Sequence, residues 1–223
     1  MADTIRRIAE AFWKLHKTTL ARRHAFIFRG TLTRGPILVV GLNPRGPSKR
    51  RRPCSSAELY RRRPVNPLWD ETEPWRSAYA RRLRKFLLDV VPIGLDPRTV
   101  PMTNLCFFAS PRWANLQDRD LRLENCRPFL RRIIRIVGPD HVIVLGGLGR
   151  EEHVEAVFRR KKNRQFALLG RHRHRPVMNA WQARLTARSA PVQVYCLPHP
   201  SGPRFTGRDR AALTSYLREQ LGT

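Results

Sequence analysis

Two polar residues stand just past apolar runs near opposite ends of this 223-residue chain. Asn43 lies in Gly41-Leu42-Asn43-Pro44, after Ile37-Leu38-Val39-Val40, and His199 lies in His199-Pro200-Ser201-Gly202, after Val192-Gln193-Val194-Tyr195-Cys196-Leu197. A carboxamide presents an acceptor beside its donors, and a neutral imidazole presents one of each. Open α/β sheets bind ligands just outside the carboxyl ends of their strands, so two such groups delivered from distant parts of the chain could converge on one ligand. A third amide, Asn104 in Thr103-Asn104-Leu105-Cys106, also falls within an apolar run. Taken one at a time, Asn-Pro and His-Pro steps read equally well as turns, because Asn bonds its own backbone and Pro fixes φ. Their joint occurrence at strand ends is what points to a site.

The elements that must position these residues follow from the pattern. Residues 37–41 form an apolar run with no polar interruption, as expected of a central strand covered on both faces. Val100 to Ala109, His141 to Leu145 and 192–197 read as three further strands. Between them, Pro74 suits the first turn of a helix whose apolar face carries Tyr79, Leu83, Phe86, Leu87 and Val90 and which stops near Pro92. Leu121 to Val137 reads as a long helix halted by Gly138-Pro139, and a last helix starts near Thr206 with Leu213, Tyr216 and Leu217 on one side. Ile5, Ile8, Phe12 and Leu15 fall at helical spacing, predicting an N-terminal helix that docks on the core. Strands alternating with helices imply an α/β fold, a three-layer α/β/α sandwich with a mostly parallel four-stranded central sheet. The chain reads as one domain spanning 1–223, with 1–35 as N-terminal helix and lead-in and 36–220 as core. Residues 45–74 are rich in Arg, Pro and Ser, with only a capping-box spacing at Ser55 and Glu58, and a long irregular segment directly after a candidate site strand usually carries function.

Charge narrows the partner. Lys and Arg number 44 against 17 Asp and Glu, for a formal charge of +27. Self-repulsion of that size disfavours a compact chain, and a polyanion relieves it. Lys occurs only at 14, 17, 49, 85, 161 and 162, so nearly all the cations are Arg, which grips phosphate bidentately and stacks on flat rings. Nucleic acid is the leading partner class and a membrane surface a weak second. The cysteines, Cys54, Cys106, Cys126 and Cys196, form no C-x-x-C pair, and Cys196 lies in an apolar strand pattern. That usage implies a reducing interior: cytoplasmic and nucleoid-associated, or nuclear in a eukaryote. No apolar stretch approaches the length of a membrane span and the N-terminus lacks a secretory apolar region; Asp3 and Glu10 also interrupt any transit-peptide character.

The order of motifs carries a resemblance. Gly41-Leu42-Asn43-Pro44, then Thr103-Asn104-Leu105-Cys106, then Glu124-Asn125-Cys126-Arg127-Pro128-Phe129-Leu130 leading to Val142-Ile143-Val144-Leu145-Gly146, and finally His199-Pro200-Ser201-Gly202 resemble the uracil-DNA glycosylase superfamily from about residue 36 to 220. The first motif is most similar to the single-strand-selective and mismatch-specific branches, and 103–146 is similar to the helix–strand core of the iron–sulfur uracil glycosylases. The resemblance implies a monofunctional glycosylase that releases uracil or another deaminated base from DNA by base flipping. Asn43 would hold the attacking water, which it cannot deprotonate as a carboxylate would, so slower turnover than in Asp-based relatives is expected. His199 would donate to uracil O2 as negative charge builds there. Asn104 would read the base edge, with Gly41 and Leu42 lining the base pocket. Ser201 would contact phosphate, and Arg204 would enter the space left by the flipped nucleotide, with Phe205 as the competing candidate.

The chain also departs from the family pattern. Arg45 stands where related motifs place Gly, next to Asn43, where it would either contact phosphate or obstruct the pocket. No Phe follows the first motif at the usual stacking distance, leaving Trp69, with Tyr60 as the other candidate, to stack on the base. Lys49, Arg50 and their basic neighbours, with the basic connection from Arg159 to Arg175, are expected phosphate contacts at the rim. No cofactor is expected: Cys106 and Cys126 alone cannot hold an iron–sulfur cluster, and His172 with His174 lack a third ligand for a metal. DNA, single- or double-stranded, is the expected partner, with RNA as a further polyanion, no membrane, and the chain acting as a monomer. The alternative is a catalytically silent nucleic-acid-binding protein that keeps the glycosylase fold, motivated by Arg45, the missing Phe and the basicity. A nucleotide-binding α/β protein is a third reading, disfavoured because no Gly-rich phosphate loop follows the first strand.

Overall fold

The structure is a computed structural model and describes residues 2–20, 28–29, 34–42, 78–108, 113–158, 166–169, 176–183, 191–200 and 207–222. Helix α1 (Ala2–Leu20) precedes strands β1 (Phe28–Arg29) and β2 (Ile37–Gly41). Helix α2 (Ala78–Val90), strand β3 (Met102–Asn104), a 3₁₀ turn (Trp113–Asn115), helix α3 (Arg119–Val137) and strand β4 (His141–Leu145) follow. The short helix α4 (Glu151–Glu155), strands β5 (Phe166–Leu169), β6 (Pro176–Ala183) and β7 (Val192–Leu197), and helix α5 (Gly207–Leu221) complete the order.

Among the described residues the strands form a seven-stranded sheet in the order β1-β3-β2-β4-β7-β6-β5. The inner four, β3-β2-β4-β7, are mutually parallel, and these are the four strands expected from the sequence. Antiparallel strands extend them on both sides, β1 beside β3 and the β6/β5 pair beside β7. Two boundaries move. The ladder of β3 is only three residues long, against the expected Val100 to Ala109, although the backbone runs on beside β2, with the Leu105 and Cys106 amides donating to the carbonyls of Gly41 and Leu42 at 2.7 and 2.8 Å. Helix α3 begins at Arg119 and carries Pro128 in its interior, a site where one backbone hydrogen bond is forgone. Its end is as expected: Gly138 adopts φ +58° and its N–H donates to Ile134 O at 2.8 Å.

Alternation along the inner strands builds two cores. Leu38, Val40, Val142, Val144, Val194 and Cys196 face one layer, against α1 and α3. Ile37, Val39, Ile143, Leu145, Tyr195 and Leu197 face the other, against α2 and α5. This is the three-layer sandwich, with period-2 strands feeding both faces. On the second face Asp89 of α2 pairs with Arg210 of α5. On the first, α1 docks through Ile8 and Phe12, and the Phe12 ring meets Phe107, Phe108 and Phe129 edge-on at centroid distances of 5.1 to 5.6 Å, whereas Leu15 is exposed. Phe12→Ala is therefore expected to cost about 3–5 kcal/mol, read as a lower urea midpoint; an unchanged midpoint would mean that α1 does not dock in solution. No helix among the described residues is long and apolar enough to cross a membrane.

Candidate active site

Because the four inner strands are parallel, their carboxyl ends share one edge, and their register aligns them. Asn104 pairs with Gly41, Gly41 with Leu145, and Leu145 with Leu197, making one row across β3, β2, β4 and β7. With strands about 4.8 Å apart, the row spans roughly 14 Å. Each strand then releases its chain into a loop on that rim: Leu42 after β2, Leu105 after β3, Gly146 after β4, and Pro198-His199 after β7.

Gly41 and Asn104 are matched in shape. A Cβ on Gly41 would lie 2.6 Å from Asn104 Oδ1, so the amide rests directly on the glycine backbone. The backbone bonds from Leu105 and Cys106 to the exit of β2 fix that contact. Leu42 is buried beside it.

At the centre of the rim, Gly146 separates the first motif from the second. A Cβ there would meet Leu42 Cδ1 at 3.1 Å and His199 Cδ2 at 3.3 Å, and the backbone holds φ at +84°. Glycine meets both demands, since it tolerates the left-handed region and leaves room for two side chains. The turn that follows is tied down on every side. Gly146 and Leu148 both donate to Leu197 O, at 2.9 and 3.1 Å, and Arg150 Nη1 donates to Gly146 O at 3.1 Å. Glu151 accepts from the Gly149 amide at 3.0 Å and from the side chain of the buried Asn179, which reaches across from β6.

His199 keeps part of its surface in solvent, but its ring lies against this turn. Burial, and then the Arg150 guanidinium, hold its pKa below the ordinary imidazole value of 6.5, so the neutral form is favoured. The next residue is anchored from the other layer, where Arg82 of α2 donates to Pro200 O at 3.4 Å. A neutral imidazole, a carboxamide and a glycine floor on one rim suit hydrogen bonding to a flat polar ring and donation to a developing anion.

Three thiols lie in the core beneath this rim. Cys106, Cys126 and Cys196 are buried, the Phe107 amide donates to Cys126 Sγ at 3.2 Å, and burial pushes the Cys126 and Cys196 thiols well up. Among the described residues no three His, Cys, Asp or Glu side chains gather as metal ligands.

Of the residues singled out in the sequence, Gly41, Leu42, Asn104 and His199 are brought together on this rim. Asn43, Arg45, Lys49, Arg50, Tyr60, Trp69, Ser201, Arg204 and Phe205 lie outside the described residues, as do the Ser55/Glu58 spacing and His172 with His174. Sequence reasoning missed Arg82, Arg150, Glu151 and Asn179. Only the Gly146-Gly147 pair, directly after an apolar run, signalled that the β4 exit is a close approach of backbones.

The family model described as the uracil DNA glycosylase superfamily matches residues 29–218 of the chain. No curated protein matches the chain.

Proposed function

We propose that this chain, which belongs to the uracil DNA glycosylase superfamily, hydrolyses the N-glycosidic bond of uracil or another deaminated base in DNA. The observation that carries the reading is the aligned row of strand ends, which sets the Asn104 amide and the His199 imidazole on either side of Gly41, Leu42 and Gly146. Breaking that bond develops positive charge on the sugar and negative charge on the base. His199, favoured as a neutral donor, meets the negative charge at uracil O2. Asn104 presents a donor and an acceptor to the base edge, so that cytosine would leave its groups unpaired. Asn43, two residues beyond the β2 row position, holds the water that attacks the sugar. The target nucleotide reaches this rim by leaving the base stack or by arriving as single strand. A charge of +27 draws the polyanionic substrate in, with affinity that falls steeply as salt rises.

The test is release of free base, detected by mass spectrometry, from single- and double-stranded DNA carrying one uracil or one hypoxanthine, against undamaged controls. Binding without release would replace the enzyme by a silent nucleic-acid binder. Gly41→Ala probes the same reading at the base edge. Its Cβ must displace the Asn104 amide, so uracil release is expected to fall on the order of tenfold or more, and its excess over cytosine release to fall with it. The cost in stability is small because only a side-chain tip has to move. An unchanged ratio would remove Asn104 from base reading.

A further inference from the structure

Arg150 is a cation that the glycosylase reading leaves without a task, although it binds the backbone at the centre of the rim. It belongs to the turn after β4, it is half-buried, and its Nη1 donates to the carbonyl of Gly146, the residue whose Cα faces the His199 ring. That bond ties the guanidinium to the turn beside His199. Glu151, the adjacent acid, is turned away to the Gly149 amide and to Asn179, and Arg82, reaching in from α2, is also a cation.

Resting on the glycosylase reading, we propose that Arg150 is a positioning residue that holds a fixed positive charge beside His199, where negative charge collects on the departing base. The arrangement does two things at once. It disfavours a second cation on the imidazole, keeping His199 in the state that donates one well-directed hydrogen bond. It also supplies the long-range part of the anion's stabilisation from a group that needs no reorganisation when the bond breaks. The shift of His199 below the ordinary imidazole range, with Arg150 as its second cause after burial, agrees with this placement. A guanidinium that merely braced the turn would do neither.

The experiment uses the full chain with Arg150→Gln and Arg150→Lys, melting curves serving to confirm that each variant folds. First, the His199 ring is titrated by NMR, its signal assigned by loss in His199→Gln. Arg150→Gln is expected to raise the midpoint and Arg150→Lys to raise it less. Second, single-turnover release is compared for uracil and 5-fluorouracil, whose anion needs less stabilisation. Arg150→Gln is expected to slow uracil release on the order of tenfold to a hundredfold and 5-fluorouracil release by a smaller factor, with Arg150→Lys between. An unmoved His199 titration, or equal slowing of both substrates, overturns the proposal. Weaker DNA binding with unchanged release at saturation also overturns it, making Arg150 a phosphate contact. A wild-type chain that releases no base overturns the glycosylase reading instead, and the titration then decides alone whether Arg150 acts on His199.

Discussion

His199→Ala should slow uracil release by on the order of 10²- to 10³-fold while leaving the melting temperature nearly unchanged. The rate effect is large because the imidazole donor is needed only once charge has moved onto the base, so its loss is felt in the transition state and hardly in binding. The stability effect is small because His199 stands on a solvent-bordered rim beyond the end of β7, outside both cores. DNA affinity should therefore survive in the variant. The same residue should set the acid limb of the pH profile. Burial and Arg150 disfavour the imidazolium, so the neutral form persists below the ordinary value of 6.5, and release should hold through neutrality and fall only at a pH below that value. Release by His199→Ala within threefold of wild type, measured under single-turnover conditions, would move catalysis to another group.

Gly146→Ala should also slow release, for a different reason. The new methyl group has to enter between Leu42 and His199, at 3.1 and 3.3 Å from their nearest atoms. Either side chain must give by a few tenths of an ångström. A misplacement of about 1 Å at a reacting centre costs on the order of 10²-fold in rate, so release should slow by on the order of threefold to tenfold. The backbone adds about 1–2 kcal/mol, since φ at this position is +84° and a Cβ is disfavoured there. Gly149→Ala separates the two effects. Gly149 also has positive φ, +75°, but nothing lies within 4 Å of a Cβ placed on it. Both variants should lose similar stability in a urea titration, and only Gly146→Ala should slow base release. Equal loss of release in the two would mean that backbone strain in the turn, and not the wedge between the motifs, is what matters.

The parts of this fold that could be read in the sequence are those that solve a local problem locally. Strands β2, β4 and β7 are uninterrupted or alternating apolar runs bounded by turn residues, and they begin and end where the pattern says. Gly138 announces the end of α3 because only a residue at ease with positive φ closes a helix that way. Strand β6 escaped notice because it begins with Pro176 and carries Asn179 and Gln182; its identity as a strand comes from pairing with β7, which propensity cannot see. Strand β1, two residues long, has too little sequence to hold a period at all.

The site divides in the same way. Gly41, Asn104 and His199 were legible because a motif in order at strand ends has a topological meaning. Arg150 was not, being one Arg in a chain crowded with them, and nothing in its neighbours foretells a bond to a carbonyl four residues earlier. Asn179 and Glu151 are 28 residues apart, and no spacing rule joins them. Their pairing is a product of β6 lying beside β7.

The position of β7 bears on how the fold comes into being. In the sheet it is seated between β4 and β6, both of which precede it in the chain. Until β7 is made and inserted, the β5/β6 hairpin has no edge to join and the gap between the sheet's halves stays open. The strand that closes this gap leads two residues later to His199. Completion of the sheet and placement of His199 at its rim are thus a single event, dependent on long-range pairing. A chain that stops short of β7 would lack both the closed sheet and His199.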